Sequence, residues 1–462
     1  MQRSQVADLV VRGADVVTMD PGRAVLRGAD IAIRAGVITA LGPAGSATAS
    51  AAPVDVVDAR GCVVVPGYVN AHQHLTATPL TRSLVPETIP GAESIFNWAV
   101  PTHAAVDERD DEVAAMVGAV ECLRRGVTTV LEAGTVAHPE AVARALRRVG
   151  IRGRVGRWGS DSPGMPGTGP AAEVLAAQEE TVKAIGRDDA DLVRGWVTLV
   201  GHDLATDELF AGAAEMARRL GCGATWHMSP HEQDVHAYAE RSGRRPVEHL
   251  HHIGALGPHL LLGHALWIDE RELEILLDTG TAVAACPAAY LRLGQGLLRA
   301  SRYAQFARRG GRLALGSDAH NASDAIDVVR AAWLLAALDR DAGGPDPLRA
   351  DETFALATCA GAAAANLPDV GSIEVGKRAD LVVLDGADPR WVPRSDPALQ
   401  LVYGDGGNAV RDVVVAGRVV VRDREVLTVD VGELYAEAAE RATALRARAK
   451  LEPRSRWPVR PA

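Results

Sequence analysis

Seven short apolar segments, each followed by a helical pattern, fill the middle of this 462-residue chain. They read VTTVLEAG, RGRVGRW, LVRGWVTLVG, GATWHM, LLLGHAL, TAVAACP and RLALGSD, and an eighth, CVVVPGYVNAHQH, precedes them. Helical patterns such as RDDEVAAMVGAVECLRRG and TDELFAGAAEMARRLG lie between them. Parallel neighbours in a sheet need a crossover connection, and a helix is the usual one. Alternation over roughly 300 residues therefore predicts an α/β chain, and seven or eight units suit a (β/α)8 TIM barrel of ~250 residues. Residues 7–65 carry a different texture, β-branched alternation broken by Gly, Pro and Asp. The same texture returns in GKRADLVVLDG and NAVRDVVVAGRVVVRDREVL. The two ends are expected to pair into a small β-sandwich made of residues 1–65 and 370–430, beside a barrel of residues 66–369. Residues 431–462 read as a C-terminal helix and a loose tail of about a dozen residues.

Composition narrows the partners. The net charge is −10, which argues against a nucleic-acid surface and does not by itself imply any partner. The five cysteines are scattered and form no CxxC, so a disulfide framework is not expected and a reducing compartment is. No apolar run approaches the ~18 residues a membrane span needs, and the N-terminus lacks the continuous apolar core of a signal peptide. The cytoplasm is the expected location.

In a barrel, chemistry sits where strands run into their following loops. Several apolar segments end there in a residue able to bind metal: His72 and His74, His202, His227 with His231 after it, His264, and Asp318 with His320 after it. Positions i and i+2 of a strand face the same side, so His72 and His74 can point together into one mouth. Imidazoles plus a carboxylate, with one position left open, make a catalytic rather than a structural metal set. The other histidines, His103 among them, read as ordinary surface or core residues.

PGYVNAHQHL resembles the PGxVNxHxH signature of the amidohydrolase superfamily. PVEHLHHIGALGPHLLLGHALWIDERELEIL, LALGSDAHNASDAIDVVRAAWLL and ATCAGAAAANLPDVGSIEVGKRADLVVLD are similar to its sixth-strand, eighth-strand and closing segments. The branch resembled is that of the chlorohydrolases and aminohydrolases, which includes deaminases of cytosine, guanine and methylthioadenosine/S-adenosylhomocysteine, and triazine hydrolases. The resemblance implies that His72, His74, His227 and Asp318 ligate one divalent metal, zinc first and iron second. It implies that His264 stands beside the metal's water as a catalytic group, and that His202 contacts substrate. Asp318 could also take the proton from that water. Two-metal relatives bridge their ions with a carboxylated lysine on the fourth strand. Only Lys183, Lys377 and Lys450 occur here, which argues for one metal. A homodimer or higher homo-oligomer is a family-level expectation.

The chain departs from that pattern at one informative residue. Deaminases of this branch follow the fifth-strand histidine with a glutamate, as H-x-x-E; HMSPHEQDV places Pro230 there. His231 and Glu232 are the expected replacements, with Asp234 nearby. Ala288 and Ala289 stand where relatives often have a serine–asparagine pair, and Trp98 and Tyr290 are candidate substrate contacts. The expected reaction is hydrolysis of a C–N bond, as deamination, in a small nitrogen-rich heterocycle. The alternatives are dehalogenation or amide or ring-opening hydrolysis at the same metal, because a better leaving group needs less acid help. A metal-binding protein without catalysis is the remaining alternative.

Overall fold

The computed structural model describes residues 7–45, 55–89, 91–186, 192–405, 407–453 and 457–458. Most of the tail expected to be loose lies outside them. The terminal segments do find each other. Strands β1 (Leu9–Val17), β2 (Val25–Arg34), β3 (Val37–Pro43), β4 (Asp55–Asp58) and β5 (Val63–Pro66) come from the first segment. The later segments supply four more strands to the same nine-stranded sheet, and the first of these, Leu381–Leu384, pairs antiparallel with β5. Period-2 alternation divides the buried residues between two cores. Val64, Leu381 and Val383 pack inside the sheet with Leu9, Val11 and Ile33, whereas Val63, Val65, Val382 and Leu384 face the helices of the central region.

Only Gly67 separates β5 from β6 (Tyr68–Gln73), the first strand of the central region. Next come β7 (Val127–Glu132), β8 (Arg152–Val155), β9 (Val193–Gly195), β10 (Val197–Gly201), β11 (Ala224–Met228), β12 (Leu260–His264), β13 (Ala282–Ala285) and β14 (Leu313–Leu315). All pair in parallel, as sheets β6–β7–β8–β9 and β10–β11–β12–β13–β14. Nearly every residue in them is buried, as expected of strands covered on both faces. Trp196 alone lies between β9 and β10, so one extended run borders both sheets. At the opposite ends Gln73 bridges in parallel to Asp318, the Asp318 N–H donates to the His72 carbonyl at 2.9 Å, and the Asn70 amide donates to Ser317 Oγ at 2.7 Å. Arg152 of β8 meets Asp380 of the terminal sheet through two 3.0 Å hydrogen bonds, with both side chains buried. The helix expected after residue 431 spans Val431–Ala449 and packs along the helix Glu108–Arg124. Among the described residues no helix is long and apolar enough to cross a membrane.

Candidate active site

The strand ends bring five residues into one cluster. His72 lies within β6 and His74 just beyond it; His227 is in β11, His264 closes β12, and Asp318 follows β14. Ring centroids are 4.8 Å apart for His72–His227 and His72–His264, 5.1 Å for His74–His227 and 5.3 Å for His227–His264. One nitrogen from each of His72, His74 and His227 lies within 4.8 Å of the others, as do atoms of His72, His264, Cys286 and Asp318. Three glycines permit this crowding. A Cβ on Gly263 would lie 2.5 Å from His72 Cε1, and one on Gly316 would lie 2.6 Å from His72 Cβ. At Gly201 (φ +83°) it would lie 2.2 Å from the His227 carbonyl oxygen.

The hydrogen bonds fix where the protons are. A carbonyl can only accept, so His227 Nδ1 carries a proton and donates to the Val200 carbonyl at 2.6 Å. Thr135 donates to Glu132 at 3.3 Å and therefore accepts from His74 Nδ1 at 2.8 Å. His227 Nε2 is then bare, and His74 Nε2 lies 3.2 Å from it and 3.4 Å from Asp318 Oδ1. His72 is buried and neither of its nitrogens has a hydrogen-bond partner in the protein. A buried imidazole in that state, beside a bare nitrogen, a third imidazole and a carboxylate, fits a metal ion. Burial keeps His72, His227 and His264 neutral, the last pushed down to about 4, and the neutral ring is the ligating form. Burial opposes ionisation of Asp318, but its contacts with His74, His264 and His72 hold the carboxyl well below the usual range. Burial pushes the Cys286 thiol well up, so it stands in the cluster as a protonated thiol.

His264 receives support from behind. The Tyr303 hydroxyl donates to the His264 carbonyl at 2.7 Å, and the Tyr290 oxygen accepts from the Cys286 N–H at 2.9 Å. Tyr290 Oη lies 3.2 Å from His264 Nδ1 and 3.1 Å from Tyr303 Oη, so the two tyrosines form one hydrogen-bonded chain behind the ring. Tyr290 is thus fully buried behind His264 and does not line the pocket, contrary to the substrate contact expected of it. Trp98 also differs from expectation, because it packs against Leu84 and Val85 in a small apolar cluster. Glu232 is exposed as the first residue of the helix Glu232–Ser242, where an acidic side chain suits the positive end of the helix dipole. The loop path carries it away from the pocket.

His202 and His231 do reach the pocket, and His227 and Pro230 line it with them. His202 Nδ1 donates to Asp234 at 3.0 Å, leaving Nε2 open, and the ring stacks on His227 at 5.2 Å. His103 was expected to be an ordinary residue but lines the same pocket, with its ring 5.3 Å from Trp158. Thr135, Gln295 and the three glycines escaped the sequence reading. For the glycines a signal was present: VGHD, LGHA and LGSD each set glycine directly before or one residue ahead of the polar strand-end residue.

Lys183 lies in the helix Ala171–Ile185 and pairs with Glu179, and no lysine lies on β6 to β14.

Known proteins match the chain along most of its length. The Amidohydrolase family model matches residues 63–420. A 5-methylthioadenosine/S-adenosylhomocysteine deaminase of Syntrophobacter fumaroxidans is 33% identical over 434 residues, 93% of this chain and 97% of the relative. A crystal structure of an adenosine deaminase from Xanthomonas campestris with bound zinc superposes with a TM-score of 0.90 at 27% identity, covering 96% of this chain and 100% of that one. An atrazine chlorohydrolase from Arthrobacter aurescens complexed with zinc gives 0.84 at 25% identity, covering 95% and 99%. With a family model over more than half its residues and a relative this similar along its length, the chain belongs to the amidohydrolase family and is an enzyme acting on C–N bonds.

Proposed function

We propose that the enzyme is a single-metal hydrolase that removes ammonia from an amino-substituted nitrogen heterocycle. The observation that carries this reading is the convergence of His74 Nε2 and His227 Nε2, 3.2 Å apart, with Asp318 beside the unpartnered His72. The deaminase names of the relatives support the reaction. On this reading β6 to β14 form one (β/α)8 barrel of residues 66–369, with residues 1–65 and 370–430 forming the accompanying β domain. His72, His74, His227 and Asp318 hold one divalent ion, zinc first. Such an ion lowers the pKa of a water toward ~7 and so supplies a nucleophile at neutral pH. Asp318, ionised and buried, accepts the proton that leaves the water. His264 donates to the atom on which negative charge develops. His202, held by Asp234, and His231 stand where a ring nitrogen of the substrate would receive a proton, in place of the missing H-x-x-E acid.

Replacement of that acid by Pro230 supports a second reading, in which the leaving group is halide or an activated amide. Purified enzyme loaded with zinc and offered a panel of amino- and chloro-substituted purines, pyrimidines and triazines separates the two. Ammonia release that chelator abolishes and zinc restores is the expected outcome. Chloride release alone would replace the first reading by the second. Neither product from any compound, with the metal fully loaded, would sink both.

A further inference from the structure

The turn that carries His202 into the pocket has an uncommon backbone. Gly201 and His202 are both left-handed, at φ +83° and +53°, so the chain bends sharply as it leaves β10. A residue with a side chain stays in that region only where its surroundings over-determine it. Three hydrogen bonds do so here. The His202 N–H donates to the His227 carbonyl at 2.8 Å, and Nδ1 donates to Asp234 at 3.0 Å. The His202 carbonyl accepts from the Tyr238 hydroxyl at 2.7 Å, and among the described residues it accepts no other hydrogen bond.

Two of these bonds come from one helix. Asp234 and Tyr238 are four residues apart on Glu232–Ser242, so they share a face, one above the other. Asp234 holds the ring of His202, and Tyr238 holds the backbone to which that ring is attached. Tyr238 is fully buried. Its ring lies 5.7 Å from that of His249 and under the Arg241 guanidinium, 4.9 Å away. Arg241 extends the grip: it pairs with Asp203, next to His202, at 2.8 Å, and with Asp207, at the start of the following helix, at 3.1 Å. A phenol enclosed in this way presents its hydroxyl as a fixed donor.

We propose that Tyr238 is a positioning residue for the reaction: its hydroxyl fixes the turn that aims His202 Nε2 into the pocket. Tyr238 does not line the pocket, and it acts through His202 alone. Without that bond the left-handed turn keeps two of its three anchors, and the ring swings on a loosened backbone. The inference rests on the reading that His202 meets the substrate, and an exchange measurement on the ring tests it without any substrate.

The test uses zinc-loaded full-length enzyme whose histidines are enriched in nitrogen-15. The His202 Nδ1–H resonance is assigned by its loss in His202→Gln, and in wild type it should exchange slowly with solvent. Tyr238→Phe keeps the ring and its packing and removes only the hydroxyl. It should speed that exchange at least about tenfold, with zinc content unchanged. On the amino-heterocycle of the panel that is turned over fastest, it should lose about 10–100-fold in kcat/KM, as a displacement of about 1 Å does. In a His202→Gln background the same change should alter kcat/KM less than about twofold, because no imidazole is left to aim. Fast exchange in wild type, unchanged exchange in Tyr238→Phe, or an equal kinetic loss with and without His202 overturns the proposal. The first of these is read on wild type, so it decides even if the Phe variant misfolds. Full activity in His202→Gln, or no ammonia from any compound, overturns the substrate role of His202 or the deaminase reading; the exchange rates then still decide whether Tyr238 holds the ring.

Discussion

Gly263→Ala is the sharpest probe of the cluster, because one added carbon tests the placement of His72 without touching a ligand. The new Cβ would sit 2.5 Å from His72 Cε1 and 2.7 Å from Nδ1. Gly263 pairs with His227 on one side and Ala284 on the other, so its backbone is held in register. The ring must therefore move, by about 0.9 Å to reach ordinary contact at 3.4 Å. Metal–ligand distances tolerate only ~0.2 Å. His72 has little room behind it, since a Cβ at Gly316 would already lie 2.6 Å from its own Cβ. Overpacking of this kind costs roughly 1–3 kcal/mol of stability. A single ligand-placement error should lower metal affinity by about a hundredfold, the upper range for changes that misorient ligands. Zinc content after dialysis, a chelator-competition Kd and kcat/KM are the readouts. Gly344→Ala, at a position with nothing within 4 Å of the added carbon, is the control. A folded Gly263→Ala enzyme that keeps zinc within about threefold of wild-type affinity would refute the reasoning that His72 is a ligand.

Other outcomes are expected from neighbouring features. Thr135→Val removes the acceptor for His74 Nδ1 and should weaken zinc binding by about 10–100-fold, whereas Thr135→Ser should not; equal affinities in the two variants would show that the hydroxyl does not orient His74. Asp380→Ala strands Arg152 in the interface between the terminal sheet and the central strands and should cost about 3–5 kcal/mol in a denaturant melt; a loss below about 1 kcal/mol would mean the pair is solvated. Burial pushes the Asp327 carboxyl up to about 6, despite the Arg330 N–H that it caps and the nearby Arg125. The folded state then holds a proton that the unfolded chain releases at lower pH, so stability is full at acid pH and is lost as pH rises through about 6. Asp327→Asn, which can still cap the helix, should gain Tm over wild type progressively from about pH 4 to about pH 6 and then hold a constant lead, and a difference that is flat from about pH 4 to about pH 6 would count against the raised pKa.

What the sequence revealed, and what it hid, follows from what has a period. The seven segments from VTTVLEAG to RLALGSD became β7 to β14, with LVRGWVTLVG split at Trp196, because a buried parallel strand is a short apolar run between helices. The pairing of the two chain ends was legible in their shared alternation. His72, His74, His227, His264 and Asp318 converge because strand ends in a parallel sheet share one edge. Loops have no period. Nothing in HMSPHEQDV distinguishes His231, which turns to the pocket, from Glu232, which starts a helix facing solvent. Trp98 and Tyr290 were judged by side-chain type, and burial placed both behind the wall. Gln295 lay in a turn whose path depends on contacts with Tyr290 and Trp267, which are remote from it or unreadable in pattern.

The order of the cluster along the chain has a consequence for its birth on the ribosome. His72 and Asp318 touch through the bond from the Asp318 N–H to the His72 carbonyl, yet they are 246 positions apart. At ~5–20 residues per second, roughly 12–50 s of synthesis separate their emergence. During that interval His72 and His74 are made but the last strand of the centre is not, and β5, joined to them through Gly67, still lacks its partner Leu381–Leu384. A nascent chain therefore carries two exposed imidazoles and an unpaired apolar edge at once.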